Sequence, residues 1–591
     1  MKSLKNVLKI FLCFGLLTTS CNKDFLETTP LGELSSADVW KDQALSKTFI
    51  NGIYYNFTHG FNKFMKAVYC DEAHRRDNSS VRNFNRCLMT PDNIVGWQRQ
   101  PDWANLYSNI RRCNLFLTGV EDATFDKDAM IGEVKFLRAW CYYNLTSMYG
   151  GVPIVSKAYE LTDDFKVPRD SYEDCIQFIV DDLDEAASLL PEVQSGADNG
   201  RATKGAALAL KSRVLLYAAS DLHNTTVFPG YSNPELIGYV GGNRTARWQA
   251  AKDAAKTVMD LNVYSLYKPN PAPTDSVAKN YTEVFLSKGT VEDIWVRFYT
   301  SGTIANDNNL GVMNGPNGFG GQSNNAPLGN LVDDFEMRDG TKFDWNNPAH
   351  AALPYNYREP RFYANILYEG AKFTTRPAYS IDLDPFGIVH TGYFERWDDA
   401  TGQIIIEPGI DSRNSPFQPN NSSQTLYMCR KMLDPSFPIV EGGTGQDVPW
   451  RYMRYAEVLL NYAEACIELG GQDEEARTYI NMIRTRAGLP DVTESGDALR
   501  TRYRHERRIE LMYEDHRIFD VRRWVIGPEA YTVATKANVL YKLLPDNTTS
   551  PVPTIFHEVF ETRGWIDKGY FFPILRTEMN KNELLIQNPG Y

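Results

Sequence analysis

Two stretches of the chain combine aromatic rings with amide, carboxylate and guanidinium side chains. A ring can cover a flat apolar face of a ligand, while polar side chains bond to groups at its edge. This mixture is suited to holding a ligand that has both kinds of surface. The candidate contact residues in the first stretch, residues 69–99, are Tyr69, Asp71, Asp77, Arg82, Asn83, Arg86 and Trp97. Those in the second stretch, residues 298–325, are Tyr299, Asn317 and Phe319.

Each of these candidates also has a structural interpretation. A single loop aromatic more often packs against its own scaffold than against a ligand. Trp97 is the best candidate for an exposed platform because it lies in a loop-like stretch. Trp103, Trp140, Trp295 and Trp524 fall in regular elements and are expected in the core.

Three short strings resemble motifs of other chemistries, and each lacks a required part. Asp71-Glu72-Ala73-His74 matches a helicase signature, but the sequence has no phosphate loop of the G-x-x-x-x-G-K-[ST] type. Residues 315–321 are rich in glycine without the G-x-G-x-x-G order of a dinucleotide site. His505-Glu506 begins a zinc-protease pattern that ends at Ile509 instead of histidine. We therefore expect no cofactor and no metal.

The first twenty residues have the features of an export signal. A lysine-bearing start and an apolar run over residues 7–17 lead to three small residues and then Cys21. The run is shorter than the ~20 apolar residues that a spanning helix needs. A cysteine at this place predicts a lipoprotein signal with lipidation at Cys21, although Thr18 stands where such signals usually carry leucine. An ordinary signal peptide cut elsewhere is the alternative.

The overall composition limits the kind of partner. The 591 residues carry 62 basic and 74 acidic side chains, a formal net charge of −12. Because phosphate backbones require a basic surface, nucleic acid is not an expected ligand. The aromatic fraction of 13% suits a protein that stacks flat ligands, and it suits a large core equally well.

The cysteines do not indicate a disulfide framework or a zinc site. Apart from Cys13 and Cys21 at the N-terminus there are seven, an odd number, and none forms a C-x-x-C pair. Cys141 and Cys466 lie in helical apolar patterns and are expected to be buried. A bridge between Cys70 and Cys87 is an open alternative.

The elements that must position these residues are mostly helices. Apolar residues at spacings of three and four predict helices over residues 36–53, 103–117, 131–149, 171–190, 203–219, 248–261, 454–466 and 473–487. The last two, joined by Gly470-Gly471, form a hairpin of the size of a tetratricopeptide repeat. Residues 203–261 form a second such pair. A charged helix is predicted over residues 502–523, with arginine and glutamate side chains that pair across hairpins.

The middle of the chain differs in composition. Residues 265–450 are rich in glycine, proline, asparagine and aromatics, with strand-like runs at residues 293–298 and 404–406. Residues 301–330 form a long punctuated stretch. Loops of that length are uncommon unless they are functional or disordered.

Several strings in a fixed order resemble one protein family. They are residues 21–27 with Pro30, the set Trp103, Tyr107, Ile110 and Asn114, and residues 133–153, 182–191, 204–213, 455–465, 483–490, 506–511, 517–524 and 587–591. Over more than 500 residues the chain resembles the SusD/RagB family of outer-membrane lipoproteins. Asp515 and Leu575 depart from the family pattern, where glycine and proline are usual.

The resemblance implies a mainly α fold. About four tetratricopeptide-like hairpins would form a scaffold, with a loop-rich insert and short β-strands. After a signal peptide at residues 1–20, residues 21–591 would form a single domain. Its scaffold would comprise residues 36–265 and 450–591, and its glycan-facing insert would comprise residues 266–449.

The resemblance also implies a function without catalysis. Such proteins bind glycans at the cell surface, anchored by lipid to the outer membrane, and deliver them to a SusC-like TonB-dependent transporter. The ten candidate contacts would then stack on sugar rings and bond to sugar hydroxyls. Two alternatives stay open: a glycoside hydrolase with two suitably spaced carboxylates, and a receptor for peptides.

Overall fold

The chain is mostly helical, with 43% helix and 11% strand, which confirms the predicted mainly α fold. The computed structural model describes residues 39–57, 60–61, 64–76, 81–94, 100, 102–160, 162–270, 277–300, 309–437, 439 and 445–591.

The first part of the scaffold contains six long helices whose ends follow local sequence signals. They are α1 (Gln43–Tyr55), α2 (Trp103–Gly119), α3 (Asp128–Tyr149), α4 (Tyr172–Leu189), α5 (Lys204–Ala219) and α6 (Arg244–Asp260). The carboxylate of Asp102 accepts from the Asn105 amide at the start of α2, and the Thr203 hydroxyl accepts from the Ala206 amide at the start of α5. Helix α3 packs against α4, and α5 packs against α6, as predicted for residues 203–261.

The second part of the scaffold continues the same packing. It contains α7 (Val277–Leu286), α8 (Tyr455–Leu469), α9 (Asp473–Arg486), α10 (Gly496–Glu510) and α11 (Arg517–Arg523). Helix α8 packs against α6, α9 and α10 and so joins the two parts. The predicted hairpin of α8 and α9 is confirmed. Its turn needs glycine, because Gly470 and Gly471 both have positive φ, at 75° and 70°.

The prediction of one helix over residues 502–523 is wrong. Helix α10 ends at Glu510 and α11 begins at Arg517. Between them Tyr513 and Asp515 have φ values of 60° and 67°, which a right-handed helix cannot accommodate. The Tyr513 hydroxyl donates to the carbonyl of Asn325 at 2.8 Å, so a contact distant in sequence stabilises the break.

Short helices lie mostly between these elements. They span Val81–Phe84, Leu310–Asn314, Gly329–Asp334, Pro348–Ala352, Pro360–Asn365, Gly527–Ala530 and Arg576–Lys581.

The described chain contains four small sheets, of which three join the insert to the rest of the chain and one, formed by residues 366–367 and 428–429, lies within the insert. The strands are β1 (Ala73–Arg75), β2 (Asp293–Arg297), β3 (Asn325–Pro327), β4 (Ile366–Leu367), β5 (Tyr393–Asp398), β6 (Gln403–Pro408), β7 (Met428–Cys429), β8 (Trp450–Arg454), β9 (Val533–Tyr541) and β10 (Thr554–Thr562). Antiparallel pairs join β1 to β3, β2 to β8 and β4 to β7. The fourth sheet has the order β10-β9-β5-β6, with β5 and β9 parallel.

The strands predicted near residues 293–298 and 404–406 are confirmed as β2 and β6. The hairpin of β9 and β10 was not predicted from the sequence. Residues 450–591 therefore supply two strands to a sheet shared with the insert, in addition to scaffold helices.

A network of buried charged side chains lies where α9, α10 and β8 meet the insert. We call it the ionic seam. Its members are Arg361, Lys431, Arg454, Arg484 and Arg486, with Glu292, Glu336, Glu359, Glu506, Glu510 and Glu514. The Glu510 carboxylate accepts from Arg454 at 2.8 Å and from Arg486 at 2.5 Å, and it lies 3.2 Å from Arg361. This confirms the predicted pairing of arginine and glutamate across hairpins.

Candidate functional site

The structure brings together the two stretches that the sequence analysis selected. Strand β1 of the first stretch pairs with β3 at the end of the second. The Arg75 guanidinium donates to the side-chain oxygen of Asn324 at 2.6 Å. The Met65 backbone N–H donates to the side-chain oxygen of Asn325 at 3.1 Å. Distant parts of the chain are thus joined by buried contacts.

Two of the predicted contact residues lie inside the protein. Tyr69 is fully buried, with its ring edge-on to Phe84 at 4.9 Å. Asp71 is buried and receives two hydrogen bonds from Arg517, at 2.8 and 2.7 Å. Although burial acts to raise it, the guanidinium groups of Arg508 and Arg517 hold the pKa of Asp71 well below its ordinary value. These side chains have structural partners and are not placed to stack on a ligand.

Asn317 and Phe319 are also buried, and both support a neighbouring loop. The Asn317 amide nitrogen donates to the carbonyl of Phe417 at 2.8 Å. The guanidinium of Arg376 lies 4.0 Å from the centre of the Phe319 ring, and Phe373 is edge-on to it at 5.5 Å. Their side chains therefore support neighbouring residues and are not exposed to a ligand.

The remaining predicted residues are accessible or lie outside the described chain. Arg82 is exposed, while Asn83 and Arg86 are half-buried, so all three stay candidate contacts. Tyr299 is half-buried, and its ring packs near Phe61 at 5.8 Å. Asp77, Trp97 and the lipidation candidate Cys21 lie outside the described residues.

A partly exposed aromatic pair lies on loops of the insert, and we call it the aromatic ledge. It consists of Tyr379, which is 54% exposed, and the half-buried Phe417. Their ring centres are 5.7 Å apart and the ring planes are inclined by 32°. Exposed polar residues follow or precede Phe417 in the chain, namely Arg413, Asn414, Gln418 and Asn420. The Arg76 guanidinium donates to the carbonyl of Asn420 at 2.8 Å, which connects this loop to the end of β1.

Buried polar contacts lock the loops that carry the ledge. The Arg376 guanidinium donates to Asp384 at 2.6 Å and to Asp411 at 2.7 Å. Asp411 also accepts from the backbone amide of Gly318 at 3.1 Å. The Ser380 hydroxyl, next to Tyr379, donates to the carbonyl of Gly318 at 2.8 Å. A ring held in this way loses little conformational freedom when it binds a ligand.

The two carboxylates that bind Arg376 have pKa values shifted in opposite directions. Burial dominates at Asp411 and raises its pKa despite the bonds from Arg376. At Asp384 burial acts in the same direction, but the Arg376 guanidinium and two backbone amides outweigh it and lower the pKa.

Sequence reasoning missed Tyr379 and Phe417, although a signal was present. Phe417 stands between two prolines in a segment rich in asparagine, glutamine and serine, residues 413–424. This is the same mixture of ring and amide that selected the other two stretches.

Other chemistries find no support in the part of the chain that the structure describes. There, no group of three or more histidine, cysteine, aspartate or glutamate side chains could hold a metal ion. The helices described include none that is long and apolar enough to cross a membrane. Cys70 and Cys87 are both buried and free, so the alternative of a bridge between them is wrong, whereas burial of Cys141 and Cys466 is confirmed.

Solved structures share this architecture. A SusD-like protein from Bacteroides fragilis superimposes with a TM-score of 0.72 at 29% identity, covering 95% of this chain and 100% of that one. A SusD-like carbohydrate-binding protein from the same species has a TM-score of 0.70 at 24% identity, covering 93% and 100%. A laminarin-binding SusD-like protein has a TM-score of 0.58 at 21% identity, covering 93% and 100%. The last two likenesses concern the fold alone.

Sequence comparisons agree with the structural ones. SusD-like protein P38 of Formosa agariphila is 28% identical over 230 residues, which are 37% of this chain and 43% of that relative. The match thus spans less than half the length of this relative. Residues 24–216 match a family model described as starch-binding and associating with the outer membrane. Residues 251–591, more than half of the chain, match the model of the SusD family. The helical scaffold and the loop-rich insert agree with this match. The chain therefore belongs to the SusD family.

Proposed function

We propose that this protein captures glycans on the bacterial surface and delivers them to a SusC-like TonB-dependent transporter. The observation that carries the proposal is the aromatic ledge, an exposed ring pair on loops locked by buried polar contacts. The family description as starch-binding and outer-membrane-associated supports it. So do the names of relatives in the fold, one called carbohydrate-binding and one called laminarin-binding.

In the proposed complex, sugar rings lie on Tyr379 and Phe417. The C–H face of a sugar is apolar and packs on an aromatic ring, while its hydroxyl edge needs hydrogen-bond partners. Exposed side chains on the loop that carries Phe417 supply these partners, namely Arg413, Asn414 and Asn420, and Arg82 of the first stretch is a further candidate contact. Because Tyr379 is more than half exposed, its ring is accessible to a sugar.

Affinity electrophoresis in gels that contain different polysaccharides tests this proposal. We expect one polysaccharide to retard the wild-type protein, and Tyr379→Ala or Phe417→Ala to remove the retardation. Tyr55→Ala is the matched control, because Tyr55 is a 72% exposed ring on scaffold helix α1. Loss of retardation in all three variants, or in none, would contradict a ledge-based site. A wild-type protein that ignores every polysaccharide but responds to peptides would favour a peptide receptor.

The proposed role includes no catalysis. Incubation of the protein with the retarding polysaccharide should release no reducing sugar. Turnover that disappears when one carboxylate is replaced would support the hydrolase alternative instead.

The proposed anchor and partner have separate tests. Cys21→Ser should abolish incorporation of labelled palmitate and release the protein from the outer membrane. The lipidated wild-type protein, extracted in mild detergent, should co-purify with a TonB-dependent transporter. Unchanged labelling of the Cys21→Ser variant would refute the anchor without affecting the glycan site.

A further inference from the structure

A second concave site lies away from the aromatic ledge. It is a cleft of about 700 Å³ between residues 330–346 of the insert and the chain from α10 to β9. It shares no lining residue with the ledge, and Arg508 and Asp71 lie at its base on the scaffold side. Ligand sites in proteins commonly have volumes of roughly 300–1,000 Å³, so the cleft is large enough for a small ligand.

Trp345 is the aromatic wall of this cleft, and its orientation is fixed. The indole N–H donates to one carboxylate oxygen of Asp333 at 3.0 Å. The other oxygen of Asp333 lies 3.0 Å from Nδ1 of His557, whose Nε2 lies 2.7 Å from the Tyr427 hydroxyl. Phe343 meets the indole edge-on at 5.1 Å, and His557 meets it at an inclination of 55°. Both rings are inclined to the indole and not stacked parallel to it, and Trp345 stays half-buried at the cleft wall.

Polar groups of both hydrogen-bonding types surround this ring. The Asn330 side-chain oxygen accepts from the amide and hydroxyl of Thr535, at 2.8 and 3.0 Å. Within the described chain, the Asn330 amide nitrogen has no acceptor. Lys342 and Glu529 are exposed on the cleft, and neither forms a salt bridge with a described residue. The cleft thus offers donors and acceptors beside a fixed ring.

We propose that the Trp345 cleft is a second carbohydrate site, which takes a short oligosaccharide with one sugar ring stacked on the indole. Asn330, Lys342 and Glu529 would bond to its hydroxyls. The ligand class rests on the proposed function, but the site uses none of the ledge residues. A fixed ring beside unpaired amide, ammonium and carboxylate groups is the arrangement that sugar recognition requires.

The net charge of the residues that line the cleft restricts the class of sugar that it can bind. Asp71, Asp333, Asp334, Asp344 and Glu529 carry negative charge, against the positive charges of Lys342 and Arg508. An excess of one sign in a cleft disfavours ligands of that sign. The cleft therefore selects neutral or amino sugars and disfavours uronic acids and sulfated sugars.

Calorimetric titration of the full mature protein tests the second site by stoichiometry. The probes are tetrasaccharides of α-1,4-glucan, β-1,3-glucan, β-1,4-xylan and β-1,4-mannan. We expect one probe to bind the wild-type protein at two equivalents and the Trp345→Ala variant at one. Trp397→Ala, which removes a 38% exposed tryptophan on β5, is the matched control and should keep two. Tyr379→Ala should keep the equivalent bound in the cleft.

The outcomes separate this inference from the proposed function. One equivalent in the wild type, lost in Tyr379→Ala and unaffected by Trp345→Ala, would refute the second site and leave the ledge intact. Absence of binding for all four probes would refute both. Because Trp345→Ala can disturb the fold, Asn330→Ala provides a second variant that should weaken the same equivalent about tenfold, a change of about 1.4 kcal/mol. An oxidised, uronic-acid form of the bound probe that fills the cleft as tightly would refute the charge argument.

Discussion

The ionic seam and the aromatic ledge use similar side chains in opposite settings. In the seam, the arginine and glutamate side chains are fully buried. The single carboxylate of Glu510 contacts three of the arginines, namely Arg361, Arg454 and Arg486. At the ledge, the charged side chain of Arg413 stays at the surface, and the buried ion pairs of Arg376 support the loops that carry the rings. The seam fixes how the insert sits on the scaffold, whereas the ledge is what the insert presents to a ligand.

This difference shows that burial decides whether a charged or aromatic side chain stabilises the fold or is available to a ligand. Truncating one partner of a buried ion pair leaves an uncompensated charge in the interior. Truncating an exposed ring removes a contact surface and leaves the fold unchanged. Variants in the seam should therefore alter stability, and variants at the ledge should alter affinity.

The largest expected effect is at Glu510. Replacing it with glutamine removes the negative charge that faces three guanidinium groups, so we expect a loss of about 3–5 kcal/mol in the free energy of unfolding. Urea denaturation of the purified variant measures this loss. Glu583→Gln is the control, because Glu583 pairs with Lys166 at the surface, where water screens the pair and the loss of stability should be small. Equal effects of the two variants would remove the distinction between seam and surface.

The seam should also make the protein sensitive to acid. Burial acts to raise the pKa of Glu506, but the guanidinium groups of Arg361 and Arg484 outweigh it and lower the pKa to about 2. A folded-state pKa below the unfolded value means that the stability is present above pH 4.5 and is lost as pH falls towards 2. For Glu506 alone the loss amounts to about 3 kcal/mol.

The pKa values of Glu510 and Glu514 are lowered as well, so they act in the same direction. Glu336 acts in the opposite direction, because burial dominates there and raises its pKa. Urea midpoints measured between about pH 6 and pH 3 check the net effect. A Glu506→Gln variant should show a flatter dependence than the wild type, and an unchanged dependence would contradict this assignment.

The sequence predicted many of the helices and strands, but it gave little information about how deeply each side chain is buried. Apolar spacing predicted the hairpin of α8 and α9 because a helix that packs on one side shows its period locally. Composition selected Asn317 and Phe319 as ligand contacts, but it could not show that they are buried. Asp71 looked like a ligand contact because its partner Arg517 lies 446 residues away in the chain. Strands β9 and β10 were missed since neither shows a regular apolar alternation: the buried positions of β9 are irregularly spaced, and the one buried residue of β10 is Glu561.

Asn317 connects the two settings, and its replacement should have a smaller effect on stability than replacement of Glu510. Asn317→Ala removes the amide that donates to the Phe417 carbonyl, so we expect a loss of about 1–2 kcal/mol in the free energy of unfolding. Because Phe417 would then be less firmly held, glycan retardation should also decrease, although both ledge rings are still present. Tyr379→Ala should decrease retardation with no measurable change in stability. If Asn317→Ala destabilised the protein but left retardation unchanged, the locking of the loops would not contribute to binding. The exposed rings alone would then account for the affinity of the ledge.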